Sequence, residues 1–178
     1  MNLTETKIGG VYVIEPRRFE DERGFLANAF SSREFERVGI AARFVETIIS
    51  FSIRRGTLRG LHFQAAPHGQ AKLVRCTRGR VFDVAVDIRP DSPTHRQWVG
   101  VELTEENRRM LYIPGDCAHA YLTLGENCEV FYMVSSPYAP GSGRGFRWDD
   151  PAFGIDWPAE AGDPILIERD RTYPDYTL

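Results

Sequence analysis

The chain has 178 residues, of which 42% are hydrophobic and 12% aromatic, and its 22 Lys and Arg against 25 Asp and Glu leave a net charge of −3. At ~150 residues per domain this is a single domain with enough apolar content for a continuous core, which excludes intrinsic disorder. No run nears the ~18 apolar residues of a membrane span, residues 1–7 lack the apolar stretch of a secretory signal, and the charge balance excludes a surface built to neutralise a nucleic-acid polymer.

Sixteen Gly and 11 Pro are scattered along the whole chain. That is the punctuation of many short strands joined by turns, and it predicts an all-β domain of sandwich or barrel type. In chain order, strands are predicted at 11–14, 44–51, 59–64, 71–76, 81–88, 97–103, 110–113, 120–124 and 129–134. The clearest is 81–88, where Phe82, Val84, Val86 and Ile88 share one face and Asp83 and Asp87 the other. The turn Arg78-Gly79-Arg80 makes 71–76 its predicted hairpin partner. One helix is predicted at 32–38. Ser31 and Glu34 have capping-box spacing, Phe30 and Phe35 are placed as a hydrophobic staple, and Gly39 is the stop. Residues 136–158, rich in Gly, Pro, Asp and aromatics, read as a long ordered loop. The three cysteines, Cys76, Cys117 and Cys128, contain no C-x-x-C pair and cannot all pair with one another, so reduced, buried thiols of an intracellular, cytoplasmic protein are expected.

The chain has four histidines, His62, His68, His95 and His119. His68 and His95 lie in Pro-containing loops and are expected on the solvated surface. His62 and His119 fall on or beside predicted strands, where a histidine is ordinarily a packed, hydrogen-bonded residue. Gln64, not a second histidine, stands two residues after His62, so the ligand set for a transition metal is thin and no metal site is expected. Arg59, His62, Lys72, His119 and Tyr132 are polar residues set in apolar, strand-like surroundings. Tyr132 shares a strand face with Val130 and Val134, so its hydroxyl is expected to point into a crowded apolar space. A histidine base, a tyrosine acid and a lysine around one cavity suit proton abstraction beside a carbonyl. A set of ordinary buried polar contacts fits the same residue types equally well.

Several blocks, in order and at compatible spacing from about Gly10 to Asp170, resemble the dTDP-4-dehydrorhamnose 3,5-epimerase family. They are Phe19-Glu20-Asp21-Glu22-Arg23-Gly24-Phe25, Arg59-Gly60-Leu61-His62-Phe63-Gln64, Gln70-Ala71-Lys72-Leu73-Val74-Arg75, the 81–89 strand followed by Ser92-Pro93-Thr94, Tyr112-Ile113-Pro114 with Ala118-His119, Tyr138-Ala139-Pro140, and Trp148-Asp149-Asp150-Pro151. The resemblance implies a cupin-like double-stranded β-helix (jelly roll), a homodimer, no cofactor, and a nucleotide-linked sugar as substrate. It implies inversion beside the C4 ketone of a 4-keto-6-deoxyhexose, in deoxysugar or surface-polysaccharide biosynthesis. Carried over position by position, His62 is the general base, Asp170 its orienting carboxylate, and Tyr132 the acid on the opposite face. Lys72 and His119 stabilise the enolate. Arg59 and Arg23 hold the diphosphate, Arg23 from the neighbouring subunit, and Tyr138 stacks on the base.

The departures from the family pattern concern recognition. Asn28 stands where Glu is usual, Glu46 and Ile48 replace members of a Gln-Asp-Asn segment, and Arg169 replaces Lys with charge preserved. Ile48 removes hydrogen-bonding capacity and Glu46 adds negative charge, which predicts altered base or sugar readout while the proton-transfer set is complete. A cupin-fold sugar-nucleotide 3,4-ketoisomerase and a non-catalytic sugar-nucleotide-binding module are the alternatives. Tyr132 argues for inversion, because moving a carbonyl needs no donor on the opposite face.

Overall fold

The strands alternate between two sheets, and that alternation organises the molecule. In a computed structural model, which describes residues 1–41 and 43–177, the strands are β1 (Asn2–Glu5), β2 (Tyr12–Glu15), β3 (Arg18–Asp21), β4 (Gly24–Ala27), β5 (Glu46–Ser52), β6 (Leu58–Gln64), β7 (Lys72–Arg78), β8 (Arg80–Asp87), β9 (Trp98–Thr104), β10 (Met110–Ile113), β11 (Cys117–Thr123), β12 (Cys128–Val134) and β13 (Gly143–Gly145). Two short α-helices, α1 (Ser32–Glu36) and α2 (Glu168–Arg171), and a 3-10 turn at Ala159–Ala161 accompany them. One sheet runs β1-β2-β10-β7-β12-β5, the other β13-β6-β11-β8-β9, and β3-β4 form a separate hairpin. All of these pairings are antiparallel, and the result is the expected cupin-like jelly roll.

The predicted hairpin of 71–76 with 81–88 does not form. Strand β7 pairs with β10 and β12, whereas β8 pairs with β9 and β11. Gly79, at φ +74°, turns the chain from one sheet to the other, and a Cβ there would lie 2.8 Å from Cys128 Sγ. A short turn therefore joins the two layers instead of closing a ladder. The 136–158 stretch is ordered, but it is not all loop: β13 adds an edge to the second sheet beside β6. The helix is shorter than predicted. Phe30 and Phe35 do meet, with ring centroids 5.2 Å apart, and Gly39 takes φ +79°. Ser31, however, makes no side-chain cap, and Glu34 pairs with Arg37 at 3.1 Å.

The main core lies between the sheets, where Val74, Cys76, Leu111 and Val130 meet Val81, Ala85, Cys117 and Tyr121. A second layer, built on Phe146, Phe153, Trp157 and Tyr176, covers the outer face of β6, β8 and β11. Both faces of β8 are therefore buried. Asp83 and Asp87 point at the interior, and each is 0% exposed. Asp87 is satisfied by Arg89, Ser92 and Thr94. His95 belongs to the second layer, half-buried with its Nε2 2.6 Å from the Tyr176 hydroxyl. The solvated role expected for it is thus corrected, whereas His68 is exposed. All three cysteines are free and buried, and burial pushes the Cys76 and Cys117 thiols up to about 12.

Candidate active site

A bulge builds one wall of the site. Arg59 and His62 are three residues apart, and in a regular strand they would face opposite ways. In the ladder with β11, His62 pairs with His119 and Arg59 with Tyr121, so three steps on β6 match two on β11. Gly60 is the extra residue. Its φ is +144°, and a Cβ there would lie 2.1 Å from the Ala120 Cβ. The bulge thereby turns Arg59 and His62 to the same interior face as His119 and Tyr121. The facing wall comes from the other sheet, with Lys72 at the start of β7, Tyr132 on β12 and Ser50 on β5. Together with Arg169, Asp170 and the segment leading into α2, these residues line a cavity of about 520 Å³.

Within the cavity His62 Nε2 lies 2.8 Å from Asp170 Oδ1. The Nε2–H donates to that carboxylate, which leaves Nδ1 as the basic nitrogen. Burial raises the Asp170 pKa, but hydrogen bonds from His62 and Arg169 outweigh it and hold the group below the usual carboxylate range. Arg169 Nη2 approaches His62 Nε2 to 3.5 Å. The Tyr173 ring meets His62 edge-on at 5.9 Å, and it fits only because position 145 is Gly, where a Cβ would lie 2.4 Å from that ring. The C-terminal segment thus brings both the carboxylate and a packing surface to a histidine 108 residues earlier.

His119 is held in the same manner, its Nε2 2.7 Å from Asp83 Oδ1. The second oxygen of Asp83 is buried without a hydrogen-bond partner. Burial pulls the Lys72 ammonium down to about 8, and the Asp83 charge works against that pull. Lys72 is therefore still mostly protonated at pH 7, a buried cation fixed at the cavity wall. Such a group stabilises a developing oxyanion strongly. Tyr132 is half-buried, packs against the main core as expected and also lines the cavity. Burial raises its phenol, Tyr121 adds to that, and Arg59 opposes it.

The candidates divide cleanly by position. His62, Lys72, His119, Tyr132, Asp170, Arg59 and Arg169 all line the one cavity. Arg23, Asn28, Glu46, Ile48 and Tyr138 are not among the residues that line it. Arg23 is paired with Asp21 of its own hairpin at 2.6 Å and is 85% exposed. Asn28 and Glu46 are exposed, and Ile48 is half-buried directly across from Tyr132. Tyr138 is exposed beside Gly143. Asp83, Tyr121, Ser50 and Tyr173 were not singled out from the residues. Asp83 carried a signal, a carboxylate in register with Asp87 on a strand whose other face is apolar. Among the described residues no group of three or more His, Cys, Asp or Glu side chains is arranged to hold a metal ion.

Comparison with known proteins agrees over nearly the whole chain. A family model described as dTDP-4-dehydrorhamnose 3,5-epimerase matches residues 5–177. The chain is 46% identical over 175 residues to the dTDP-4-dehydrorhamnose 3,5-epimerase of Salmonella typhimurium, covering 98% of this chain and 94% of that protein. The crystal structure of dTDP-4-dehydrorhamnose 3,5-epimerase from Elizabethkingia anophelis is similar with a TM-score of 0.94 and 39% identity, covering 99% of this chain and 96% of that one. A dTDP-6-deoxy-D-glucose-3,5-epimerase from Legionella pneumophila, solved with dTDP-4-keto-L-rhamnose, is similar with a TM-score of 0.89 and 38% identity, covering 99% of each.

Proposed function

The chain belongs to the dTDP-4-dehydrorhamnose 3,5-epimerase family, and from that membership and the geometry of the cavity we propose that it inverts C3, C5 or both of a nucleotide-linked 4-keto-6-deoxyhexose of the dTDP-4-dehydro-6-deoxyglucose type. The observation that carries the reading is the placement of His62, paired with Asp170 of α2, on one sheet and Tyr132 on the other, with Lys72 in the same cavity. A proton beside a ketone is a weak acid, and its removal needs a base plus stabilisation of the enolate oxygen. His62 Nδ1 takes the proton, Asp170 stabilises the imidazolium, and Lys72 with His119 meets the charge that develops on the C4 oxygen. Tyr132 then gives a proton to the opposite face of the ring carbon, which turns exchange into inversion. Arg59, exposed at the mouth, meets the diphosphate. The chemistry draws on side chains alone and calls for no cofactor.

The remaining candidates fit a homodimer. The β3–β4 hairpin exposes Phe19, Phe25 and Leu26, and β5 is an edge strand with Ile49 and Phe51 exposed. An isolated two-stranded hairpin is marginal alone, and an apolar sheet edge invites a partner. A second copy there would let Arg23, and with it Asn28, reach a neighbouring cavity. Glu46 and Ile48 lie on that same edge strand, and Tyr138 lies by the β13 edge. Three free thiols suit the cytoplasm, and among the described residues no helix is long and apolar enough to cross a membrane. The product would feed deoxysugar assembly into surface polysaccharide.

The test is solvent deuterium incorporation at C3 and C5, followed by NMR in heavy water with dTDP-4-dehydro-6-deoxyglucose and other 4-keto sugar nucleotides. Exchange with inversion is expected. Exchange at neither carbon with any of them sinks the reading. His62→Ala should abolish exchange, and Tyr132→Phe should abolish inversion, each with an unchanged circular dichroism spectrum.

A further inference from the structure

Inversion requires the acid and the base to stay on opposite sides of the sugar at a fixed separation, yet they are carried by different sheets. Tyr132 stands on β12 of the six-stranded sheet and His62 on β6 of the five-stranded one. At the cavity a side-chain hydrogen bond ties these walls together: Ser50 Oγ on β5 lies 2.7 Å from the Tyr121 hydroxyl on β11. Both partners are set against the reacting groups. Ser50 pairs with Val130, two residues from Tyr132 on the same face of β12, and so is the diagonal neighbour of the proton donor. Tyr121 pairs with Arg59, and its ring lies 6.2 Å from that of His119. Tyr121 is 4% exposed, and the reaction as derived gives its hydroxyl no task. Ser52, the next residue on that face of β5, is buried with its hydroxyl close enough to the Tyr121 phenol to work, with Ser50, against the rise that burial imposes on that phenol. A second polar tie across the walls, Arg59 Nη2 to the Phe51 carbonyl at 3.2 Å, is made by a group that the substrate's diphosphate competes for.

We propose that the Ser50–Tyr121 hydrogen bond is a strut between the sheets, and that Tyr121 is a positioning residue that holds the Tyr132 wall at working distance from the His62 wall. Proton removal is carried by His62 and Asp170 on their own side of the cavity, with Lys72 the one enolate-stabilising group on the Tyr132 wall, so it depends on the strut less than delivery does. Delivery to the opposite face depends on it directly, because Tyr132 must reach the same carbon from across the cavity. Losing the strut therefore uncouples the two steps. The carbanion is reprotonated by His62 from the side it left, with deuterium acquired from solvent, and returns as labelled but uninverted substrate. Near-attack geometry is sensitive to displacements of about 1 Å.

This rests on the epimerase reading, and the experiment separates the two. In heavy water the wild type, Tyr121→Phe and Ser50→Ala are compared for kcat, KM and the ratio of label in recovered substrate to inverted product. Tyr121→Phe keeps the ring and loses only the hydroxyl. It should lower kcat for inversion about tenfold, leave KM unchanged, and raise the exchange-to-inversion ratio about tenfold. Ser50→Ala should act in the same direction, and it decides the matter if Tyr121→Phe fails to fold. A parallel fall of exchange and inversion, a change in KM alone, or no change in the ratio overturns the strut. Absence of exchange in the wild type would instead overturn the epimerase reading.

Discussion

The cavity and the β3–β4 hairpin are built on opposite principles. Every proton-transfer candidate lines the one cavity, and the two histidines are held by carboxylates of the same chain: Asp170 on His62, Asp83 on His119. The hairpin that carries Arg23 is exposed along nearly all of its eight strand residues, and its arginine is occupied by a neighbouring aspartate two residues away. On the function proposed, a single chain holds the proton-transfer groups, and a second copy completes ligand recognition. It follows that substitutions in the two regions should differ in kind. If the proposed dimer forms, changes in the cavity should alter turnover, and changes in the hairpin should alter substrate binding in a way that depends on a second copy.

The largest effect is expected in the cavity. Lys72→Met should lower turnover by about 10²- to 10³-fold, the scale of losing one preorganised group at a developing oxyanion. The wild type offers the same test without mutation. The Lys72 pKa is depressed by burial to about 8, so the cation is present at neutral pH and is lost as pH rises through that value. The alkaline limb of kcat should fall near pH 8, well below the ordinary lysine range, and a flat profile to pH 10 would remove Lys72 from the reaction. Stability has the opposite slope. Between about pH 8 and 10.5 the unfolded chain binds the extra proton, so the contribution of Lys72 to stability rises with pH in that window.

A second change tests how the cavity wall is made. Gly60→Ala introduces a Cβ 2.1 Å from that of Ala120 at a φ of +144°, where side chains are strained whatever the space. The strands must separate or the bulge must be lost. We expect a cost of about 3 kcal/mol, seen as a fall of about 10 °C in Tm, with turnover lost below the new Tm because Arg59 and His62 no longer share a face. Full activity in the folded variant would show that the bulge does not align them.

Gly60 also marks where sequence reasoning stopped. The cavity-lining set was legible because His62, Lys72, His119 and Tyr132 sit in strand-like blocks of unusual polarity, and the resemblance supplied Asp170. Alternation alone could not place Arg59 and His62 on one face, since a three-residue spacing contradicts it until a bulge is known. Asp83 was visible as part of a polar strand face. Its interior direction depends on the Phe146–Phe153–Tyr176 layer that covers the other side of β8, and that layer is assembled from residues more than sixty positions away. The mistaken hairpin has a similar cause: Gly79 satisfies the local rule for a tight turn, but partner choice is decided by strands arriving later in the chain. Local patterns set the elements, whereas the layer each element joins is a property of the whole topology.

The smallest effect is the most specific to the hairpin. Arg23 is 85% exposed, so Arg23→Ala should leave Tm unchanged within the range of ordinary surface substitutions. If Arg23 serves a neighbouring cavity, KM should rise about tenfold while kcat holds, the loss of one charged contact to a diphosphate. Mixing decides whether the contact crosses subunits. An Arg23→Ala chain has an intact cavity and lacks the arm, and a His62→Ala chain has the arm and lacks the base. In a heterodimer of the two, one cavity receives both, so co-refolded mixtures should recover wild-type KM in about half of the heterodimer sites. If the mixture shows only the raised KM, Arg23 acts within its own chain or not at all, and the division between a self-sufficient cavity and a shared recognition surface fails at that residue.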